Sequence, residues 1–244
     1  MKSLSTSELL EVWERGLVQP QIQRGLALLA SAYPELSPDE LARLTIGKRD
    51  AMLLALRAST FGPKLVCLAT CPHCNERLEL AFDAKDVKAT QALQTEMLSI
   101  KEADYEVRFR LPNSLDLIAI NDLQDIAATK QILIERCLVE VIRKGGEMPA
   151  DKLPAEVMEA MVRRMADADP QADVQLALSC PACSYEWLAA FDILSFFWNE
   201  IDAWSRRILH DVHVLAGAYC WSEAEILAMS PWRRQAYLDL VVSR

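Results

Sequence analysis

Two cysteine phrases contain the residues of this chain that are best suited to chemistry: CPHCNERLELAFD at 71–83 and CPACSYEWLAAFD at 180–192. Each phrase offers two thiols at Cys-x-x-Cys spacing, and in each a phenylalanine lies eleven residues after the first cysteine. A structural zinc ion takes four thiolates at the corners of a tetrahedron, and one such turn supplies two of them. We therefore predict one structural Zn2+ per chain, bound by Cys71, Cys74, Cys180 and Cys183.

Other uses of these cysteines fit the pattern less well. A redox pair of the thioredoxin type needs only one Cys-x-x-Cys with a helix directly after it, whereas strand-like residues follow both pairs here. A catalytic zinc keeps one coordination position open, which four thiolates would fill. His73 lies inside the first pair, and we interpret it as an exposed bystander. Cysteines that bind no metal, and two chains that exchange hairpins, stay open as alternatives.

The two cysteine pairs are far apart for a compact zinc ribbon, because 105 residues separate Cys74 from Cys180. We interpret these residues as an insertion between two ribbon hairpins. The metal would then hold the ends of the insertion together and offset part of its loop-closure entropy.

Few residues in the chain could serve conventional catalysis. It has seven glycines and no glycine-rich phosphate motif, which argues against a nucleotide enzyme. It has three histidines, and we interpret His210 and His213 as part of a solvated helix face, although their spacing would let them share a metal ion. We expect a protein without enzymatic activity.

Charge and hydropathy narrow the class of partner. A formal net charge of -9 argues against nucleic-acid binding, which needs clustered positive charge. No apolar run approaches the roughly 18 residues that a membrane span requires, and the N-terminus does not have the pattern of a signal peptide. We expect a cytoplasmic protein whose partners are proteins, with its remaining cysteines, Cys67, Cys137 and Cys220, as small core residues.

Residues typical of helix ends and strands mark the elements that would position the cysteines. Ser37, Pro38 and Glu40 form a capping-box pattern that predicts a helix start, and Gly62 and Pro63 end the helical segment that follows. Strands are predicted at KLVCLAT, RLELAFD and YEVRFRLP. Further helices are predicted after NSLD, over 128–143 with Gly145 and Gly146 at its end, within LPAEVMEAMVRRMADADP, over about 25 residues from Phe197 to Tyr219, after Ser222, and from SPW onward.

These elements predict an α+β protein, with a mainly helical body and a small β unit in which two hairpins form a split zinc ribbon with four cysteine ligands. The N-terminal helical region covers residues 1–63. The β unit covers 64–192, with hairpins at 64–83 and 174–192 and an inserted α/β segment at 84–173. A tryptophan-rich helical region covers 193–244.

The last of these regions is also a candidate binding surface, because it contains Trp198, Trp204, Trp221 and Trp232. A core cluster is one interpretation, and we favour it for Trp204. A protein-binding surface is the other, since tryptophan, tyrosine and arginine dominate interface energetics. It fits Trp221 and Trp232 better than it fits Trp204, because these two lie at helix junctions.

Several stretches, taken in order, resemble a known family. They are LTIGKRDAMLLALRASTFGP, YEVRFRLPNSLDL, the paired CPHC and CPAC, and CWSEAEILAMSPWRRQAYLDLV. They resemble the T-even phage family of baseplate hub assembly chaperones, in the branch found with phage-tail-like contractile injection systems. The resemblance extends over nearly the whole chain from about residue 40. It implies a non-enzymatic assembly role with baseplate hub, spike or tape-measure proteins as partners.

The resemblance leaves rival functions open. The nearest is a structural baseplate component that stays in the particle. A zinc-ribbon regulatory or nucleic-acid-binding protein is a second rival, which the absence of a basic stripe disfavours. A zinc-dependent enzyme is a third and would need an open metal position. A homo-oligomer is also compatible with the sequence.

Overall fold

The computed structural model describes residues 1–89, 97–144, 146–149 and 153–242 of the protein. Within them the chain is an α+β protein in which helices predominate over small antiparallel sheets, which confirms the predicted fold class. The helices are α1 (Thr6–Gly16), α2 (Gln21–Ala32), α3 (Pro38–Arg43), α4 (Ile46–Phe61), α5 (Ser114–Ile120), α6 (Ile126–Cys137), α7 (Ala155–Ala168), α8 (Ile193–Tyr219), α9 (Glu223–Leu227) and α10 (Pro231–Val242). The strands are β1 (Lys64–Thr70), β2 (Arg77–Asp83), β3 (Met97–Glu102), β4 (Tyr105–Arg110), β5 (Leu138–Arg143), β6 (Gly146–Glu147), β7 (Gln175–Ser179) and β8 (Glu186–Ala190).

Several helices begin and end at the residues that the sequence predicts. The Ser37 hydroxyl accepts the Glu40 N–H, and the Glu40 carboxylate accepts the Ser37 N–H, so α3 starts with a complete capping box. Ser222 and Glu225 do the same for α9. Gly62 follows α4 with a φ of 90°, a left-handed conformation that glycine adopts without steric cost.

The chain divides into two compact units, and one of them joins the two ends of the sequence: residues 1–34 and 194–244. Here the Trp13 indole N–H donates to Asp202 of α8 at 2.9 Å. A Cβ on Gly16 would lie 2.1 Å from the Trp198 ring, so only glycine lets α1 come this close. The sequence-based division instead treats residues 1–63 as one helical region.

The other unit, residues 35–193, contains the β structure. β1 and β2 form one antiparallel hairpin, β7 and β8 form another, and β3, β4, β5 and β6 form a four-stranded sheet in that order. Alternate residues of β4 are buried, as predicted, and α7 packs against this sheet through Val157 and Met161. The sheet and α7 lie in the chain between the two hairpins, with a core of their own.

The prediction of a helix over residues 128–143 is wrong for the second half of that range. α6 ends at Cys137, and residues 138–143 form β5, which pairs with β4. Val141 lies opposite Val107, and the Glu140 carboxylate meets the Arg108 guanidinium at 3.2 Å. A run rich in Ile, Leu and Val suits a helix or a strand, and here a strand partner distant in sequence decides the outcome. Of the two glycines expected to end that helix, Gly146 begins β6 and Gly145 lies outside the described residues.

The cysteines outside the two pairs differ in burial. Cys137 is buried and Cys67 is half-buried, whereas Cys220 is exposed, so the prediction of a core position is wrong for Cys220. This residue follows the last turn of α8 with a φ of 58°, where the chain turns toward α9. In the part of the chain that the structure describes, no helix has the length and apolarity needed to cross a bilayer.

Candidate metal centre

The first cysteine pair lies in the turn between β1 and β2. These strands pair in register from Lys64 opposite Asp83 to Thr70 opposite Arg77, which places the turn at residues 71–76. The Cys71 N–H donates to the Glu76 carbonyl at 2.8 Å, and the Asn75 N–H donates to the Cys71 carbonyl at 3.0 Å. Asn75 has a φ of 61°, in the left-handed region that asparagine tolerates better than most residues.

The second cysteine pair repeats this backbone between β7 and β8. The Cys180 N–H donates to the Tyr185 carbonyl at 2.9 Å, and the Ser184 N–H donates to the Cys180 carbonyl at 2.8 Å. Ser184 has a φ of 57° and occupies the position that corresponds to Asn75. The repeated sequence thus encodes a repeated turn, down to its one left-handed residue.

The two turns bring four sulfur atoms together. Among the described residues, Cys71, Cys74, Cys180 and Cys183 form a group whose Sγ atoms all lie within 4.8 Å of one another. The Sγ atoms of Cys71 and Cys183 are 3.7 Å apart, and those of Cys74 and Cys180 are 3.6 Å apart. Both short distances join one turn to the other, so each pair contributes to a single cluster.

These distances suit a tetrahedral metal better than sulfur chemistry. Bonds of about 2.3 Å at tetrahedral angles place neighbouring zinc-bound sulfurs about 3.8 Å apart. A disulfide would need about 2.05 Å, and all four cysteines are free. The cluster could hold one ion with four protein ligands, which would leave no position for a substrate.

The charge balance of the cluster also favours a cation. Burial raises the pKa of the Cys71 thiol, but hydrogen bonds from the backbone of Cys74 and His73 outweigh it and lower this pKa to about 7. The backbone of Glu76 lowers the pKa of Cys74, yet the adjoining thiols, Cys183 foremost, raise it to about 12. Cys71 therefore carries a thiolate more readily than Cys74 does, and a cation bound among the sulfurs would favour the thiolate form of both.

Apolar and aromatic contacts join the two hairpins around the sulfurs. Cys71 and Cys180 are buried together with Leu78, and Trp187 packs against them. Phe82 and Phe191, the phenylalanines of the repeated phrase, meet edge to face with ring centroids 5.6 Å apart. Equivalent residues of the two copies therefore contact each other, so the repeat forms one β unit from two distant segments.

His73 lies at the surface of this unit, outside the group of sulfur ligands. Its ring stacks on Tyr185 of the other turn, with centroids 5.5 Å apart and planes 13° from parallel. The stack links the two turns from outside. His210 and His213 are exposed on α8, in the other compact unit.

Two polar residues that belong to no recognisable sequence motif hold the insertion near its ends. Gln171 accepts the Ala89 N–H at 2.7 Å and donates to the Val87 carbonyl at 3.2 Å, so it joins the start of the inserted segment to its end. Asp169 accepts the N–H of Gly47, in the first turn of α4, at 2.9 Å. Both residues are buried, although DADPQAD reads as an exposed polar loop. No pattern in the sequence indicates their partners.

The four C-terminal tryptophans lie in different environments. Trp198 is buried, Trp204 is half-buried, and Trp221 stacks on Tyr219 with centroids 4.5 Å apart. Trp232, at the start of α10, is 86% exposed. The last of these is the one whose position most favours a binding surface.

Comparison with known proteins identifies one family. A family model described as T4 bacteriophage base plate protein matches residues 21–198, which is most of the chain. The match includes both cysteine pairs and the insertion between them. Searches of curated proteins and of solved structures returned no match.

Proposed function

The chain belongs to the T4 bacteriophage base plate protein family, and from this membership we propose that it is a non-enzymatic assembly factor, a chaperone, for the hub or spike of a phage tail or a phage-tail-like contractile injection system. Its partners would be hub, spike or tape-measure proteins, which it would meet in the cytoplasm before the baseplate closes. The family match carries this proposal, because a baseplate protein works through contacts with other baseplate components.

A structural zinc ion is the second part of the proposal. The observation that supports it is the cross-pairing of four sulfur atoms from two turns at distances near those of a tetrahedral zinc–thiolate centre. Zinc would neutralise the thiolates and fix the two hairpins against each other. With four protein ligands the ion would have no catalytic position, which is consistent with a non-enzymatic role.

A chaperone needs an exposed surface that can cover an apolar part of its client. α10 presents large apolar side chains to solvent: Trp232 at 86%, Leu240 at 56% and Val242 at 85% exposure. Exposed tryptophan next to arginine, here Arg233, is typical of residues that anchor protein interfaces. These residues support α10 as part of the client-binding surface.

The test is tail assembly in cells that carry or lack this gene. Deletion should abolish assembled tails, and the wild-type gene supplied in trans should restore them. Normal yields of functional tails without the gene would refute an assembly role.

A retained structural component is the closest alternative, since family membership fits both roles. Quantitative mass spectrometry of purified tails separates them, because a chaperone leaves the particle and a subunit stays in a fixed ratio to the sheath and tube proteins. A stoichiometric amount of this protein in purified tails would support the structural role and refute the chaperone role.

A further inference from the structure

A cleft between α8 and α10 is lined by more arginines than carboxylates and contains a buried guanidinium nitrogen without an acceptor among the described residues. Its volume is about 560 Å3, and it lies within the unit formed by the two ends of the chain. Trp204, Arg207, Ile208 and Asp211 line one wall from one face of α8. Pro231 and Arg234 line the other from the first turn of α10.

Arg234 is the unusual residue of this cleft. It is 4% exposed, and its Nε lies 3.4 Å from an Asp211 carboxylate oxygen. Its Nη1 is buried and has no hydrogen-bond partner among the described residues. A buried guanidinium nitrogen without an acceptor destabilises a protein, since its desolvation is not compensated. Arg234 therefore brings to the cleft lining a donor that has no acceptor among the described residues.

The charges of the lining point to the type of acceptor. Three arginines, Arg206, Arg207 and Arg234, line the cleft against a single carboxylate, Asp211. Arg206 already pairs with Asp202 at 2.9 Å, whereas Arg207 is exposed and makes no ion pair with another described residue. The first turn of α10 contains no acidic residue, although the helix dipole favours negative charge there. An anion in the cleft would give Arg234 an acceptor, and the dipole of α10 would favour its negative charge.

We propose that this cleft binds a carboxylate-bearing, partly apolar segment of a partner protein. A glutamate or aspartate of the segment would accept from Arg234 and pair with Arg207, and a neighbouring apolar side chain would pack on Trp204. Guanidinium groups bind carboxylates through paired N–H donors, which suits this chemistry. Asp211 in the lining and the net charge of -9 disfavour a nucleic-acid backbone as the occupant.

The test is an NMR titration of the full-length protein that follows the Trp204 indole N–H, assigned with Trp204→Phe, and the Arg234 side-chain N–H signals. The probes are a short synthetic peptide of alternating glutamate and leucine and its glutamine counterpart. We expect the acidic peptide to shift both signals and to bind about tenfold more tightly than the neutral one, the effect of one charge-assisted hydrogen bond.

A second test compares the substitution of an arginine that lines the cleft with the same substitution of an arginine outside it. Arg207→Gln should weaken binding of the acidic peptide severalfold. Arg164→Gln, which removes the same charge from the exposed face of α7 in the other unit, should leave it unchanged. Arg207 is exposed, so its variant tests the cleft without removing the buried guanidinium of Arg234. Equal binding of the two peptides, no shift of the two signals, or tighter binding of a single-stranded oligonucleotide at this cleft would overturn the inference.

The inference rests on the proposed assembly role only for the identity of the partner as a baseplate component. Peptide binding without any defect in tail assembly on gene deletion would support the cleft and refute the assembly role. Loss of tails on gene deletion, together with no peptide binding, would support the assembly role and refute the proposed cleft.

Discussion

Replacing Cys180 with serine tests the proposed zinc centre most directly. The substitution removes one of the four ligands, and we expect the weakened site to lose its zinc and with it the metal cross-link between the two hairpins. Cys74 and Cys180 enclose a loop of 105 residues, and a cross-link over about 100 residues removes about 4.7 kcal/mol of entropy from the unfolded chain. In a protein of this size each kcal/mol shifts Tm by about 2–4 °C, so we expect Cys180→Ser to lower Tm by about 10–20 °C.

The assay combines metal content with thermal unfolding. Wild-type protein should contain one zinc per chain by mass spectrometry of the metal, and a chelator should lower its Tm toward that of Cys180→Ser. Cys220→Ser is the matched control, because Cys220 is exposed and lies outside the sulfur cluster. A folded wild type without metal, or a Cys180→Ser variant that melts within about 2 °C of the control, less than one kcal/mol of effect, would refute the reasoning.

Two further substitutions test contacts that position the insertion and its sheet. Gly47→Ala would place a Cβ 1.8 Å from an Asp169 carboxylate oxygen, and we expect a loss of about 2–3 kcal/mol in urea unfolding from the clash and the lost hydrogen bond. Gly217→Ala, with nothing within 4 Å, should be neutral or stabilising, and equal losses would contradict this account. Burial raises the pKa of Asp116, but hydrogen bonds from arginine side chains and a backbone N–H outweigh this effect and lower the pKa. The ionised Asp116 therefore stabilises the folded protein at pH values above the unfolded-state pKa. This stabilisation is lost as pH falls through the folded-state pKa. Asp116→Asn should therefore destabilise strongly at pH 7 and less at acid pH, whereas Asp39→Asn, whose carboxylate makes an exposed ion pair, should have a small effect throughout.

Local signals in the sequence are sufficient to predict the bounds of several helices and strands. The capping boxes at Ser37 and Ser222 and the glycine after α4 place helix ends correctly, because each effect operates within a few residues. The hairpin strands on either side of the first cysteine pair were predicted at their observed bounds. Both hairpins have short turns, so their pairing is also local.

Elements that depend on distant partners were predicted less well. The sequence predicts no strand at β3 and places β5 in a helix, because both strands form against β4 and their own residues favour neither state strongly. The burial of Asp169 and Gln171 was not predicted for the same reason: their partners at Gly47, Val87 and Ala89 lie at least 82 residues away in the chain.

The sequence by itself determined the ligand chemistry of the candidate site. Two copies of one phrase specify two identical turns, with the same hydrogen bonds and the same left-handed position, because those features depend on residues within a single turn. The tertiary structure decided that the two turns meet. Cys71 approaches Cys183 and Cys74 approaches Cys180 on either side of an insertion whose ends are joined by Gln171 and whose own core lies between α7 and the four-stranded sheet. Such long-range contacts depend on the packing of the whole unit, and no local pattern specifies them.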